Sequence, residues 1–289
     1  MTIDLEALAA LDMVVREGGF ARAAQRLHKV QSAVSYQVAK LEQQLGVALL
    51  DRSGYRVSLT DAGAGILQEG RKLLQQAGQL QALAAQYRQG WEAHLLLIVD
   101  GILPLEKVLL ALKALSAEGA PTKVQVKIEF LRGVQQRFEK ENADMMIVKD
   151  FQQKPELHCR ALDEIECILC VSPAHALAAQ EQVSLSQLQE HTELTIQDSS
   201  DSGNDQHMFG SERAFFLSGF VAKKQALLMG MGYGWMPQFL VQEELAQGAL
   251  REVKYEGGSR YRFTPQLVQA RARPLGRAGQ RLLELLGGL

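Results

Sequence analysis

Gln31, Ser32, Ser35, Tyr36 and Lys40 lie within three helical turns of one another, interleaved with Val34, Val38, Leu41 and Leu45. The apolar set recurs at i, i+4, i+7 and i+11, which is one narrow helical stripe. At about 100° per residue, Ser32, Tyr36, Ala39 and Gln43 point the opposite way, with Ser35 and Lys40 flanking. Small polar groups on such a face can exchange hydrogen bonds with base edges in the major groove, and basic residues can neutralise phosphates. A helical hairpin with a merely solvated outer face carries the same pattern. The elements around it must separate the two readings.

A short helix, Ala21 to Leu27, precedes the stripe and turns Ala23, Ala24 and Leu27 inward, and His28-Lys29-Val30 forms the turn. Small alanines let the second helix cross closely, as a helix-turn-helix requires. Leu49 to Gly63 reads as a β-hairpin wing, with Arg52, a Ser53-Gly54 turn, and Val57 and Leu59 alternating with Arg56 and Ser58. Between Arg16 and Arg56 the basic residues are Arg16, Arg22, Arg26, Lys29, Lys40, Arg52 and Arg56, against Glu17, Glu42 and Asp51. The whole chain has a net charge of −2, so any phosphate binding is confined to this patch.

Ala23-Ala24, Leu27, Gln31, Ser35, Leu41-Glu42, Leu45-Gly46, Leu49, Arg52, Leu59-Thr60 and Gly63 occur in the order and spacing of the LysR-type transcriptional regulators, which this chain resembles. The resemblance is strongest up to about Gly90. It implies a winged helix-turn-helix, a long linker helix and an α/β effector module of two subdomains, periplasmic-binding-protein-like. Contacts to double-stranded DNA then fall to Gln31, Ser32, Ser35, Tyr36, Lys40, Arg52 and Arg56. The chain also departs from the family. Gly19 and Val30 stand where capping serines are usual, Tyr36 replaces a frequent Arg, and Leu50 a frequent Phe. These departures bear on site sequence and affinity.

The chain has 289 residues, enough for a small DNA-binding domain and a larger one with its own core. Its 47% apolar content and seven prolines indicate a globular chain. The N-terminal segment carries acids before its apolar run and no basic n-region, and apolar runs such as Leu95 to Val99 are too short to span a bilayer. The expected setting is cytoplasmic, with no membrane partner. Cys167 and Cys170 have metal-like spacing, but no second pair or suitable histidine completes a tetrahedral site, and no cofactor is expected. Both fall on a strand, where i and i+3 face opposite sides; Cys159 is the third cysteine. The expected division is 1–61 for DNA binding, 62–90 for the linker and 91–289 for the effector module. Within the module, subdomain one is 92–162 plus 264–289 and subdomain two is 163–263.

Asp61 to Gln89 reads as one helix with a heptad seam of Ile66, Gly70, Leu73, Ala77, Leu80, Ala84 and Tyr87. The seam could pack on its own domain, but no helix of similar length lies nearby in sequence. An intermolecular seam is therefore expected, giving a homodimer that can assemble further into a homotetramer. Two recognition helices imply a pseudopalindromic operator.

From Trp91 onward strands and helices alternate. Strands are read at Leu95–Asp100, Val124–Leu131, Asp144–Val148, Ile165–Val171, Glu193–Ile196, Gly234–Met236 and Gln266–Ala270. Helices are read at Pro104–Ser116, Gly133–Glu141, Leu185–Glu190, Lys223–Met229 and Gly276–Leu286. The rhythm argues for mostly parallel sheets, with hinges near Leu162 and Phe263. Ligands bind at the carboxyl ends of strands in such folds. The expected effector site is therefore Asp100, Gly101, Ile102, Leu131, Arg132, Gly133, Asp198, Ser199, Ala222 and Lys223. Gly101 and Gly133 would offer backbone N–H groups, while Asp100 and Asp198 would oppose added negative charge. That favours a cationic, zwitterionic or neutral polar effector over a dicarboxylate.

Two other classes compete. An enzyme or a solute-binding protein on the same α/β module is one. The enzyme would need a reactive constellation, yet no GxSxG elbow, complete metal set, P-loop or strand-following GxGxxG occurs. A periplasmic binder would need an export signal, and the N-terminal segment has no basic n-region. An architectural DNA binder would not need an α/β module of about 200 residues.

Overall fold

The computed structural model describes residues 3–52, 57–197 and 206–287. It comprises two compact units, Met1–Arg88 and Gln89–Leu289. The Ser53-Gly54 turn, Arg56, Asp198 and Ser199 lie outside the described residues.

In the first unit, α1 (Leu5–Glu17) opens on Asp4, whose carboxylate accepts from the Glu6 and Ala7 main-chain N–H groups at 3.0 and 3.4 Å. It closes on Gly18, left-handed at φ 66°. α2 (Phe20–Arg26) and α3 (Gln31–Leu45) follow. Ala7, Leu8, Leu11 and Val14 of α1 share one core with Ala23, Ala24, Val34, Val38 and Leu41. The stripe on α3 therefore has a partner on each side, and Leu45 packs at its margin. β1 (Leu50–Asp51) pairs antiparallel with β2 (Ser58–Leu59), Leu50 opposite Leu59.

α4 (Asp61–Arg88) covers nearly all of the expected helix, but its seam divides in two. Gly70 is buried, and a Cβ there would fall 2.0 Å from Leu8 Cδ2, so the space at Gly70 belongs to α1 of the same chain. Asp12 of α1 reinforces this packing, accepting from Arg71 at 2.8 Å. Further along, Leu73, Leu80 and Tyr87 are exposed. The heptad pattern thus merges an intramolecular face with an uncovered one.

The second unit holds two sheets. The first has the order β4 (Lys123–Glu129), β3 (His94–Asp100), β5 (Met145–Val148), β13 (Gln266–Ala270), β6 (Leu157–Ala161). The second runs β11 (Arg251–Glu252), β7 (Ile165–Val171), β10 (Tyr233–Pro237), β8 (Glu193–Ile196), β9 (Ala214–Leu217), with β12 (Arg260–Phe263) also on β7. Alternation along β3 sends Leu95, Leu97 and Val99 toward α5 (Leu105–Ala117) and α10 (Arg277–Gly287). Ile98 packs instead with Val134 and Phe138 of α6 (Gly133–Lys140). In the second sheet Ile168 and Cys170 pack with α8 (Phe220–Leu228) and α9 (Gln238–Ala246), while Leu169 and Val171 pack with Leu188 of α7 (Leu185–Gln189).

The expectation of mostly parallel sheets needs correction. β3 is parallel to β4 and β5, and β8 to β9 and β10, but β13 is antiparallel to β5 and β6, and β7 to β10, β11 and β12. The antiparallel strands are those on which the chain passes between the sheets, after Ala161 and after Phe263, where no helical crossover sets direction. Among the described residues no helix is long and apolar enough to cross a membrane.

Gly63 sits where α4 meets the segment before β1, and a Cβ there would stand 2.0 Å from the Leu49 carbonyl oxygen. Backbone cannot move aside as a side chain can. Gly63→Ala should destabilise the first unit by about 1–3 kcal/mol, the usual cost of overpacking. Chemical denaturation of the full chain would show this; an unchanged transition would contradict the close approach.

Candidate nucleic-acid interface and ligand cleft

Gln31, Ser32, Tyr36 and Lys40 are exposed on α3, Tyr36 by 70%, while Ser35 is half-buried. Neither Gly19 nor Val30 gives its helix a side-chain cap, as the departures from serine imply. The start of α3 thus presents uncapped N–H groups beside the polar face.

Glu42 links this helix to the wing. One carboxylate oxygen accepts from the main-chain N–H groups of Leu49 and Leu50 at 2.8 and 3.1 Å; the other takes Arg52 at 3.0 Å. Arg52 also lies 5.7 Å from the Phe20 ring centroid. Thr60 completes the join, donating to the Ala48 carbonyl at 2.8 Å and accepting from the Gly63 N–H at 2.9 Å.

The basic excess is largely matched within the fold. Arg16 pairs with Asp12, Arg26 with Glu17, Lys29 with Glu6 and Lys40 with Asp4. Glu6, Asp4 and Asp12 lie before the window in which the charges are read, so the sequence patch looks more basic than the surface. Exposed pairs of this kind contribute about 0–1 kcal/mol, so a phosphate can take over a lysine at little cost.

The second unit places the expected effector residues differently from one another. Asp100 is 2% exposed and accepts from the N–H groups of Ile102 and Lys149 at 3.2 and 3.3 Å. Burial pushes its carboxyl up to about 7, against the opposing pull of those N–H groups and Lys149. It therefore holds the ends of β3 and β5 together and is not an open charge on the cleft wall. Ile102 belongs to the core. A Cβ on Gly101 would meet the Phe130 ring at 2.1 Å, and its N–H donates to the Glu129 carbonyl. The Gly133 N–H donates to the Phe130 carbonyl. The backbone donors expected at these two glycines are thus already used, Gly101 by the end of the neighbouring strand β4 and Gly133 by its own turn. Leu131 takes a left-handed φ of 51°, and Arg132 and Ala222 are exposed. Lys223 is 4% exposed and runs beside Gly234, with Nζ 5.8 Å from the Phe220 ring centroid.

A different constellation lies between the sheets. Lys149, directly after β5, has a side chain only 2% exposed, and its Nζ lies 5.1 and 5.4 Å from the ring centroids of Tyr261 and Phe263. His207 stacks on Tyr261 at 3.9 Å, and Trp235 meets Tyr261 edge-on at 4.9 Å. One sheet thus supplies a buried cation and the other the aromatic surface around it. The signal for Lys149 was present in the sequence: it lies at the carboxyl end of a strand, as Asp100 does. Tyr261 lies on the alternating stretch Arg260–Phe263.

Cys167 and Cys170 are buried in different clusters, on opposite faces of β7. Burial drives the Cys170 thiol far above its ordinary range, which leaves it an inert core residue. Cys159 is exposed on β6.

Asp100 gives a pH dependence with a definite sign. The unfolded chain releases this proton near 3.8 and the folded chain near 7, so folding takes up a proton between those values and stability falls as pH rises through that window. Asp100→Asn cannot ionise. Its melting temperature relative to the parent protein should rise between pH 4 and pH 8. A difference that stays constant across that range would contradict the raised carboxyl.

Comparison with known proteins agrees with this architecture. The family described as "Bacterial regulatory helix-turn-helix protein, lysR family" matches residues 5–64, and "LysR substrate binding domain" matches residues 88–288. The probable HTH-type transcriptional regulator YhaJ of Escherichia coli is 33% identical over 273 residues, covering 89% of this chain and 88% of that protein. Among solved structures, a cysteine mutant of OxyR from Corynebacterium glutamicum aligns with a TM-score of 0.69 at 17% identity, over 99% of this chain and 92% of that one. DarR of Vibrio fischeri in complex with DNA aligns with a TM-score of 0.50 at 18% identity over the whole of both chains. With a recognition-helix unit at one end and a two-sheet binding module at the other, the chain belongs to the LysR family of DNA-binding transcriptional regulators.

Proposed function

We propose that the chain binds a pseudopalindromic operator as a homodimer and that a small molecule between the two sheets of 91–289 modulates this binding. The observation that carries the reading is the exposed polar face of α3, opposite the buried Val34, Val38 and Leu41 and fastened to the wing through Glu42. Gln31, Ser32, Ser35 and Tyr36 reach base edges in this reading, with Lys40, Arg52 and Arg56 on phosphates. DarR, a structural neighbour, is described in a complex with DNA, which supports the same use of the fold.

Residues 62–90 serve as the dimerisation helix. Support comes from the uncovered part of α4, where Leu73, Leu80 and Tyr87 are 40%, 67% and 60% exposed on a single heptad line. A second copy would cover them, and dimers could pair again into tetramers. The effector acts by shifting the two sheets about the crossovers near Leu162 and Phe263. Its leverage is limited to its differential affinity for the two arrangements. The protein acts in the cytoplasm, where bacterial DNA lies.

Two sets of variants test the reading. Ser35→Ala or Tyr36→Ala should change sequence preference by about 1–3 kcal/mol for each lost base contact, read as altered binding across a set of single-base operator variants. Leu80→Asp should yield monomers in sedimentation and lose high-affinity operator binding, because a lone charge in an apolar seam is costly. Unaltered preference would displace α3 from the groove; an intact Leu80→Asp dimer would place the dimer contact elsewhere.

A further inference from the structure

Lys149 is a buried cation whose one ion pair among the described residues, to Asp150, is long. Its polar contacts are the Tyr261 hydroxyl at 3.5 Å and Asp150 Oδ2 at 3.8 Å. Charge-assisted hydrogen bonds of an ammonium run about 2.7–2.9 Å, so neither contact is one. The Tyr261 and Phe263 rings supply a cation–π attraction. That offsets only part of the cost of taking an ammonium out of water. Asp100 approaches from the β3 side, but its oxygens are engaged by two main-chain N–H groups and burial keeps it partly protonated near neutral pH.

The position of this lysine matters as much as its poor compensation. It directly follows β5 of one sheet, and its Nζ lies over rings carried by β12 of the other. An anionic group reaching Nζ would bond both the charge of one subdomain and the aromatic surface of the other. Tyr261, Phe263 and Trp235 supply apolar area, as ligand sites generally do around a few polar groups. One ammonium balances one carboxylate, and Asp150 beside it opposes a second negative charge.

We propose that the effector is a small organic acid with a single carboxylate and an apolar body, held by a short ion pair to Lys149 Nζ with its body against Tyr261, Phe263 and Trp235. This rests on the reading of the cleft as the effector site. It reverses the charge expected from the sequence, which took Asp100 for an open group on the cleft wall. Lys149 is then the residue through which ligand charge draws the two sheets together.

The test uses the full chain with benzoate, benzylamine, benzyl alcohol and succinate as probes, followed by calorimetric titration and by tryptophan fluorescence assigned with Trp235→Phe. Benzoate should bind most tightly and change the Trp235 signal. Lys149→Met should weaken benzoate about tenfold to a hundredfold, the value of a charge-assisted hydrogen bond, while Lys149→Arg retains most of the affinity. The ligand-free melting temperature of Lys149→Met should not fall, because an under-compensated charge has been removed; a purely structural lysine would show a clear drop and no change in benzoate binding. Benzylamine or benzyl alcohol binding as tightly as benzoate, with the same Trp235 response, overturns the acid assignment and leaves the cleft as the effector site. Benzoate binding that leaves Trp235 silent and is unaffected in Lys149→Met overturns both, as does the absence of binding by every probe.

Discussion

The Glu42 carboxylate is the interaction on which the DNA-binding unit depends. It accepts two main-chain N–H groups at the start of the wing and the Arg52 guanidinium, and its own helix carries the polar face. The relative placement of α3 and β1 is therefore set within the fold. A charged acceptor spanning two main-chain donors and a guanidinium gains from each bond being charge-assisted. Close packing supports it: Gly63 lies against the Leu49 carbonyl and the small residues Ala23 and Ala24 sit in the core.

The second unit follows a different principle. Its two sheets each have a core on both faces, and among the described residues the chain passes between them after Ala161 and after Phe263. Between them lie a buried lysine and a cluster of rings. An apolar cavity of about 80 Å³ beside these same crossings, lined by Leu103, Leu162, Ile165 and Pro265, leaves room for small shifts there. Rigid sheets joined at two short crossings suit a module whose arrangement a ligand can bias.

Much of the fold could be read in the chain because strong patterns and real packing coincide. The Val34, Val38, Leu41 stripe is buried, and Ile165–Val171, Glu193–Ile196 and Gln266–Ala270 are strands at the bounds read from sequence. β6 and β9 escaped because they carry little buried alternation: only Leu157 of β6 is buried, and both central residues of β9 are exposed phenylalanines. β12 does alternate, in Arg260–Phe263, but its partner β7 is nearly a hundred residues away in sequence. Strand direction was not legible, since periodicity carries no information about it. The heptad line on α4 misled in part, because spacing cannot tell whether Gly70 accommodates a second copy or Leu8 of the same chain. At the ligand cleft, the rule of strand carboxyl ends applies equally to Lys149. Both positions are buried; what separates them is that Asp100 is engaged by two main-chain N–H groups while Lys149 makes only long polar contacts, and such partners are a tertiary property.

The central claim is that α3 reads DNA from a chain paired through α4. Selection of bound sequences from random duplex DNA by the full-length chain tests it most directly. Recovery of an inverted repeat with half-sites about 10–10.5 base pairs apart or a multiple of that, bound with a steep salt dependence, is expected. Recovery of a single unpaired half-site, or of no sequence preference at any salt concentration, would contradict it.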